Sequence, residues 1–148
     1  MTEFHPRLFH SDSEVRHIGE GLVERTLPRA NWTHEAHLAA TIYLLLKRPD
    51  IDVEKILPEL IRRYNESVGG VNSDSEGYHE TITRVFLHGV RLFLSDADLA
   101  KPLHELVNEL LLSPMGRREW PLRFYSPERL FSVEARRAFV APNIAALP

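Results

Sequence analysis

An all-α fold follows from three features of the chain. Apolar residues recur at three- and four-residue steps through several long stretches. Each stretch is bounded by a polar capping residue at its start and by proline or glycine near its end. No segment shows a convincing strand pattern of alternating apolar and polar residues. Together these predict a single bundle of about five main helices over residues 1–148. A Pro-rich segment of short helices, 114–148, is expected to wrap it as part of the same domain.

The elements follow in order. Ser11-Asp12-Ser13-Glu14 reads as a capping box opening a first helix toward Leu27, with Ile18, Leu22, Val23 and Leu27 facing inward and Pro28 ending it. Asn31 or Thr33 can cap the second, from about 34 to 47. Lys47 and Arg48 suit its negative end and Pro49 stops it. A third spans about 52 to 68, with Pro58 either splitting off its first turn or kinking it, and Gly69-Gly70 supplying the left-handed stop. Ser73 with Glu76, or Ser75, can cap a fourth that continues to about Leu94. Asp96 or Asp98 can cap a fifth that ends near Ser113-Pro114. Beyond it, prolines at 114, 121, 127, 142 and 148 limit helices to short pieces. Ser126-Pro127-Glu128 starts one, and Ser132 can cap another through Phe139.

Composition narrows the classes of function. With 148 residues, 43% of them hydrophobic and 26% charged, the chain has the make-up of one ordinary globular domain. A net charge of −3, with Arg and Lys in scattered pairs, argues against a nucleic-acid partner. The absence of cysteine excludes disulfides, thiolate catalysis and Cys-ligated metal sites. Met1-Thr2-Glu3-Phe4-His5-Pro6 lacks the charged and apolar regions of a signal peptide, and the longest apolar run is far short of the ~20 residues of a membrane span. A cytoplasmic protein without a membrane partner is the expectation.

The candidate site comes from two signatures, Trp32-Thr33-His34-Glu35-Ala36-His37 and Gly77-Tyr78-His79-Glu80-Thr81, each at the start of a strongly apolar helical run. The second helix is apolar nearly all the way round, which predicts burial. Helical spacing puts His34, His37, Thr41 and Leu45 on one face, and His79, Ile82, Thr83 and Phe86 on the inward face of the fourth helix. Three imidazoles pointing into one core suggest a divalent metal ion, its identity open among Zn, Fe, Mn and Ni, held by His34, His37 and His79 with water at an open position. The three-residue histidine spacing is one short of the zinc-protease motif, so Glu35 takes no base role. Glu80 sits on the opposite face, four residues before Arg84, in the arrangement of a solvated ion pair. Asn65, Asn72, Tyr78 and Thr83 border the same region and are candidate ligand-binding residues. The competing reading of all these groups is local hydrogen bonding and capping.

Trp32-Thr33-His34 with His37-Leu38, then Tyr64-Asn65, Asn72, Gly77-Tyr78-His79-Glu80-Thr81 and Glu134-Ala135-Arg136-Arg137 with Val140 and Pro142, resemble a group of bacterial proteins to which no activity is assigned. The resemblance spans about residues 30 to 148. It implies that the two histidine signatures form one site, and it implies no catalytic role. Two hypotheses follow from different classes. One is a small metal-dependent enzyme performing hydrolysis or a metal-assisted rearrangement on a small polar substrate. The other is a metal-free helical module that binds a small molecule or a protein partner.

Overall fold

A computed structural model describes residues 5–148. The segment read for targeting signals lies partly outside them, at residues 1–4. The described residues form seven α-helices, five of them long, with no strand.

α1 (Asp12–Glu24) starts as its capping signal requires, with Ser11 Oγ accepting from the Glu14 N–H at 3.2 Å. The reciprocal half of the box does not form. The Glu14 carboxylate accepts from the His10 N–H at 3.1 Å and pairs with Arg7 at 3.6 Å. The helix stops at Arg25, in the left-handed conformation with φ 59°, short of the expected Leu27. Leu27 still turns inward and is buried. α1 packs chiefly on α2 (His34–Lys47), and Gly19 lets them approach, since a Cβ there would run into the Tyr43 ring.

Thr33 caps α2, its Oγ1 accepting from the Ala36 N–H at 3.1 Å, while Asn31 ends a short 3₁₀ turn (Arg29–Asn31). Ala39, Ala40, Ile42 and Leu44 have no exposed surface, as expected of a helix apolar on most faces. Each fully buried Ile or Leu of this kind stabilises the fold by about 1.5–3 kcal/mol. Arg48, just past the helix end, bonds Glu20 at 2.6 Å and Asp50 at 2.9 Å, tying α2 back to α1.

α3 (Val53–Ser67) runs as one helix through Pro58. The proline has no N–H for the Glu54 carbonyl, and that single loss leaves the helix continuous on both sides. α4 (Glu80–Asp96) begins later than the serines suggested. Ser73 and Ser75 fold into the connection itself, where the Ser73 N–H donates to the Glu76 carbonyl at 2.9 Å. α4 is capped by His79, whose Nδ1 accepts from the Ile82 N–H at 3.1 Å.

α5 (Leu103–Leu112) has Pro102 as its first flanking residue. Neither Asp96 nor Asp98 caps it: Asp96 is the last residue of α4, and Asp98 bonds the Ala100 N–H of its own turn. The cap comes from α1, where Asp12 Oδ1 accepts from the His104 N–H at 2.9 Å and from His104 Nδ1 at 2.6 Å.

The carboxy-terminal segment is wrapped on α4, as expected from its aromatic content. It carries two 3₁₀ turns (Pro114–Gly116 and Trp120–Arg123), α6 (Pro127–Leu130) and α7 (Val133–Arg137). Trp120, Tyr125 and Leu130 bury against Val85 in a second core cluster. α7 ends at Arg137, before the expected Phe139, because buried Thr81 captures the next residues. Its hydroxyl donates to the Ala138 carbonyl at 3.0 Å and accepts from the Val140 N–H at 3.2 Å. Among the described residues no helix is long and apolar enough to cross a membrane.

Candidate functional site

α2, α3 and α4 enclose a cavity of about 620 Å³, with the 68–79 connection and the loop around Arg118 completing its wall. His34, His37 and His79 all line it, so residues distant in sequence share one site. Their side chains do three different jobs.

His37 leaves the first turn of α2 and stacks on Trp32, ring centroids 3.8 Å apart and 29° between planes. Trp32 in turn leans on Tyr64 at 5.2 Å. Among the described residues no group hydrogen-bonds the His37 ring, and no buried side-chain nitrogen is left orphaned, so its ring nitrogens open onto the cavity. Burial, with smaller contributions from His34 and Arg118, pushes its pKa down to about 3. At neutral pH the imidazole is uncharged and presents one N–H donor and one lone pair.

His34 is anchored. Its Nε2–H donates to the Gly116 carbonyl at 2.8 Å, and its ring meets the edge of Phe86 at 5.2 Å. Burial is the main cause holding its pKa below the usual value, with Arg118 adding to it and the Gly116 bond opposing it.

His79 is consumed by the fold. Its Nε2–H donates to the Leu130 carbonyl at 2.8 Å while Nδ1 accepts from Ile82. Both bonds require the neutral ring, and burial, the largest cause, lowers its pKa accordingly. This corrects the expected ligand set, because His79 retains no lone pair for a metal. It is buried and inward-facing as expected, but as the cap before α4 and not within that helix's first turn. Among the described residues no group of three His, Cys, Asp or Glu side chains is arranged to hold a metal ion. Near the histidines, Glu35 accepts from the Arg7 N–H, and Thr41 donates to the His37 carbonyl at 2.8 Å.

The four expected ligand-binding residues divide similarly. Asn72 is outside the cavity wall and staples the connection. Its Oδ1 accepts from Asn65 Nδ2 at 3.1 Å and from the Tyr78 N–H at 3.0 Å, while Nδ2 donates to the Arg62 carbonyl at 3.1 Å. Gly77, at φ 83°, supplies the left-handed turn that brings Tyr78 back to Asn72, and a Cβ there would collide with the Val71 carbonyl. Asn65, Tyr78 and Thr83 do line the cavity. The Tyr78 hydroxyl is committed to Glu80 at 2.5 Å, and burial plus that carboxylate push the phenol up. Glu80 also pairs with Arg84 at 3.5 Å, as the spacing suggested, but its side chain is only 16% exposed and not solvated as expected. The Thr83 hydroxyl donates to the His79 carbonyl at 2.8 Å. Arg136 holds the connection from outside, donating to the Gly77 carbonyl at 3.0 Å.

Two lining residues escaped the sequence reading. Arg29 and Arg118 belong to the flanking loops, are exposed, and have no carboxylate partner among the described residues. Nothing in the spacing of Arg118 announces it, because it reaches the site only through the wrapping segment. Arg29 was detectable as the charge nearest Trp32 on the amino-terminal side. Comparison of the chain with protein-family models, with curated proteins and with solved structures finds no match.

Proposed function

We propose that the protein binds a small organic molecule in the cavity between α2, α3 and α4, without a metal ion. The observation that carries this reading is the His37 ring. It is stacked and fixed by Trp32, yet its nitrogens have no partner among the described residues and open into about 620 Å³ of space. That volume lies within the usual ~300–1,000 Å³ of ligand pockets, which are apolar with a few placed polar groups. Leaving polar atoms without partners in such a place costs free energy unless water or a ligand meets them.

The same side chains argue against acid–base or nucleophilic catalysis. A general base works best with a pKa near the operating pH, and His37 sits far below it. The Thr41 and Thr83 hydroxyls are turned onto carbonyls of the preceding helical turn and are not activated.

The test is a fragment screen followed by amide and indole NMR shifts, on wild type and on Thr83→Phe. The larger side chain obstructs the cavity, and the His79 carbonyl keeps its backbone bond from the Thr83 N–H at 3.1 Å. Fragments are expected to shift Trp32 and the His37 ring in wild type and to lose binding in Thr83→Phe. Hits that bind both proteins equally would place the ligand elsewhere.

A further inference from the structure

We infer that the ligand of this cavity is an organic monoanion, its carboxylate held by Arg118 beside the His37 ring and its apolar body packed against Trp32, Ile61 and Phe86. This rests on the ligand-binding reading above and adds the charge and class of the ligand.

The argument starts from the charges on the wall. Three lining residues carry charge: Arg29, Arg118 and Glu76. Neither arginine has an ion-pair partner among the described residues, whereas the neighbouring Arg117 pairs with Glu119 at 3.6 Å. Arg118 is near enough to act on both His34 and His37, while Glu76 acts on neither. The carboxylates that do act on His34, Glu35 and Glu119, lie outside the cavity lining. At the open His37 imidazole the acting side-chain charge is therefore that of Arg118, with no carboxylate opposing it.

A guanidinium is a planar fork suited to carboxylate, and a neutral imidazole adds one N–H donor beside it. Two arginines less Glu76 leave the lining one net positive charge, which matches a single negative charge. A dianion such as a phosphate monoester needs more donors, and Glu76 on the same cavity disfavours a second charge. The remaining wall is mixed, with polar Thr41, Asn65 and Thr83 beside an apolar, partly aromatic stretch. Leu57, Ile61 and Phe86 line it, and the Trp32–His37 stack presents a flat surface. A flat apolar body with one carboxylate meets each of these features.

The experiment compares ring compounds of equal size and different charge: benzoate, benzamide, benzylamine and phenyl phosphate. Each is titrated into the full chain and followed by calorimetry and by the Trp32 indole resonance. Benzoate is expected to bind about tenfold more tightly than benzamide, the gain of one charge-assisted pair, and more tightly than phenyl phosphate. Arg118→Gln should bring benzoate down to the benzamide level and leave benzamide unchanged. Arg118→Glu should reverse the order in favour of benzylamine. Arg123→Gln, an exposed arginine outside the cavity, should leave every ratio intact. Equal binding of benzoate and benzamide to wild type, or a preference that survives in Arg118→Gln, overturns the inference and leaves the cavity reading standing. Tightest binding of phenyl phosphate overturns the choice of a monoanion. Shifts from none of the four probes would overturn the cavity reading as well.

Discussion

Replacing His79 with alanine tests whether that ring belongs to the fold or to a ligand site. The imidazole makes two bonds, accepting from the Ile82 N–H at 3.1 Å and donating to the Leu130 carbonyl at 2.8 Å. Loss of the first removes the amino-terminal cap of α4, a change that costs about 1 kcal/mol. Loss of the second strands the carbonyl of Leu130, a residue 2% exposed, at about 1–3 kcal/mol. The two together predict a destabilisation of about 2–4 kcal/mol, or a melting temperature lower by roughly 5–15 °C at this chain length. His79→Asn should recover about 1 kcal/mol, because asparagine caps well but is too short to reach Leu130. Urea denaturation with an unchanged m value measures the loss, and amide exchange at Ile82 locates it. Added zinc should leave the melting temperature of wild type and both variants unchanged, since a ligand stabilises only the state it binds. An alanine variant within about 0.5 kcal/mol of wild type, or an asparagine variant no better than alanine, would refute the reasoning. So would a difference between the proteins that appears only with zinc present.

Acid should destabilise the protein through the three cavity histidines. Each is held neutral in the fold, so its folded pKa lies below the unfolded value near 6.5; their contribution is complete above that value and is lost as the pH falls. For His37 alone, whose folded pKa is about 3, the loss between about pH 7 and pH 5 comes to about 2 kcal/mol. A pH series of urea melts on wild type and His37→Gln checks it, the variant showing the shallower slope, and identical slopes would count against a neutral buried His37. Thr81→Val removes the hydroxyl that serves both the Ala138 carbonyl and the Val140 N–H, and should cost about 1–3 kcal/mol. Limited proteolysis should then cut first between residues 138 and 145, and unchanged cleavage would show that the hydroxyl does not hold the segment.

The helices were legible because their causes are local. A serine or threonine accepting from the N–H three residues on needs nothing from the rest of the chain, and Ser11, Thr33, Ser126 and Ser132 all behave so. The misreadings share the opposite origin. α5 is capped by Asp12 from another helix, and α4 by a histidine, a residue type with a weak capping signal beside two serines that fit the usual pattern. α7 stops where Thr81 takes its next carbonyl, a contact across α4 that no local rule contains. That three histidines would share a cavity was readable from helical faces. Which ring nitrogens remain free was not, because Gly116 and Leu130 arrive through the wrapping segment.

That difference in partners separates structure from site. His34, His37 and His79 share a residue type, a cavity and a lowered pKa, so none of those properties distinguishes them. The hydrogen bonds do. His79 spends both nitrogens on backbone and His34 spends Nε2 on Gly116, so both stabilise the chain whether or not a ligand is present. His37 keeps its ring nitrogens open to the cavity with no hydrogen bond among the described residues, and Trp32 holds it in one orientation. An ordered polar group left open to a cavity is useful to a complex, because its orientation is fixed before binding. Arg118 adds the matching charge from a different part of the chain. The same wrapping segment that consumes the other two rings thus also completes the binding end of the cavity.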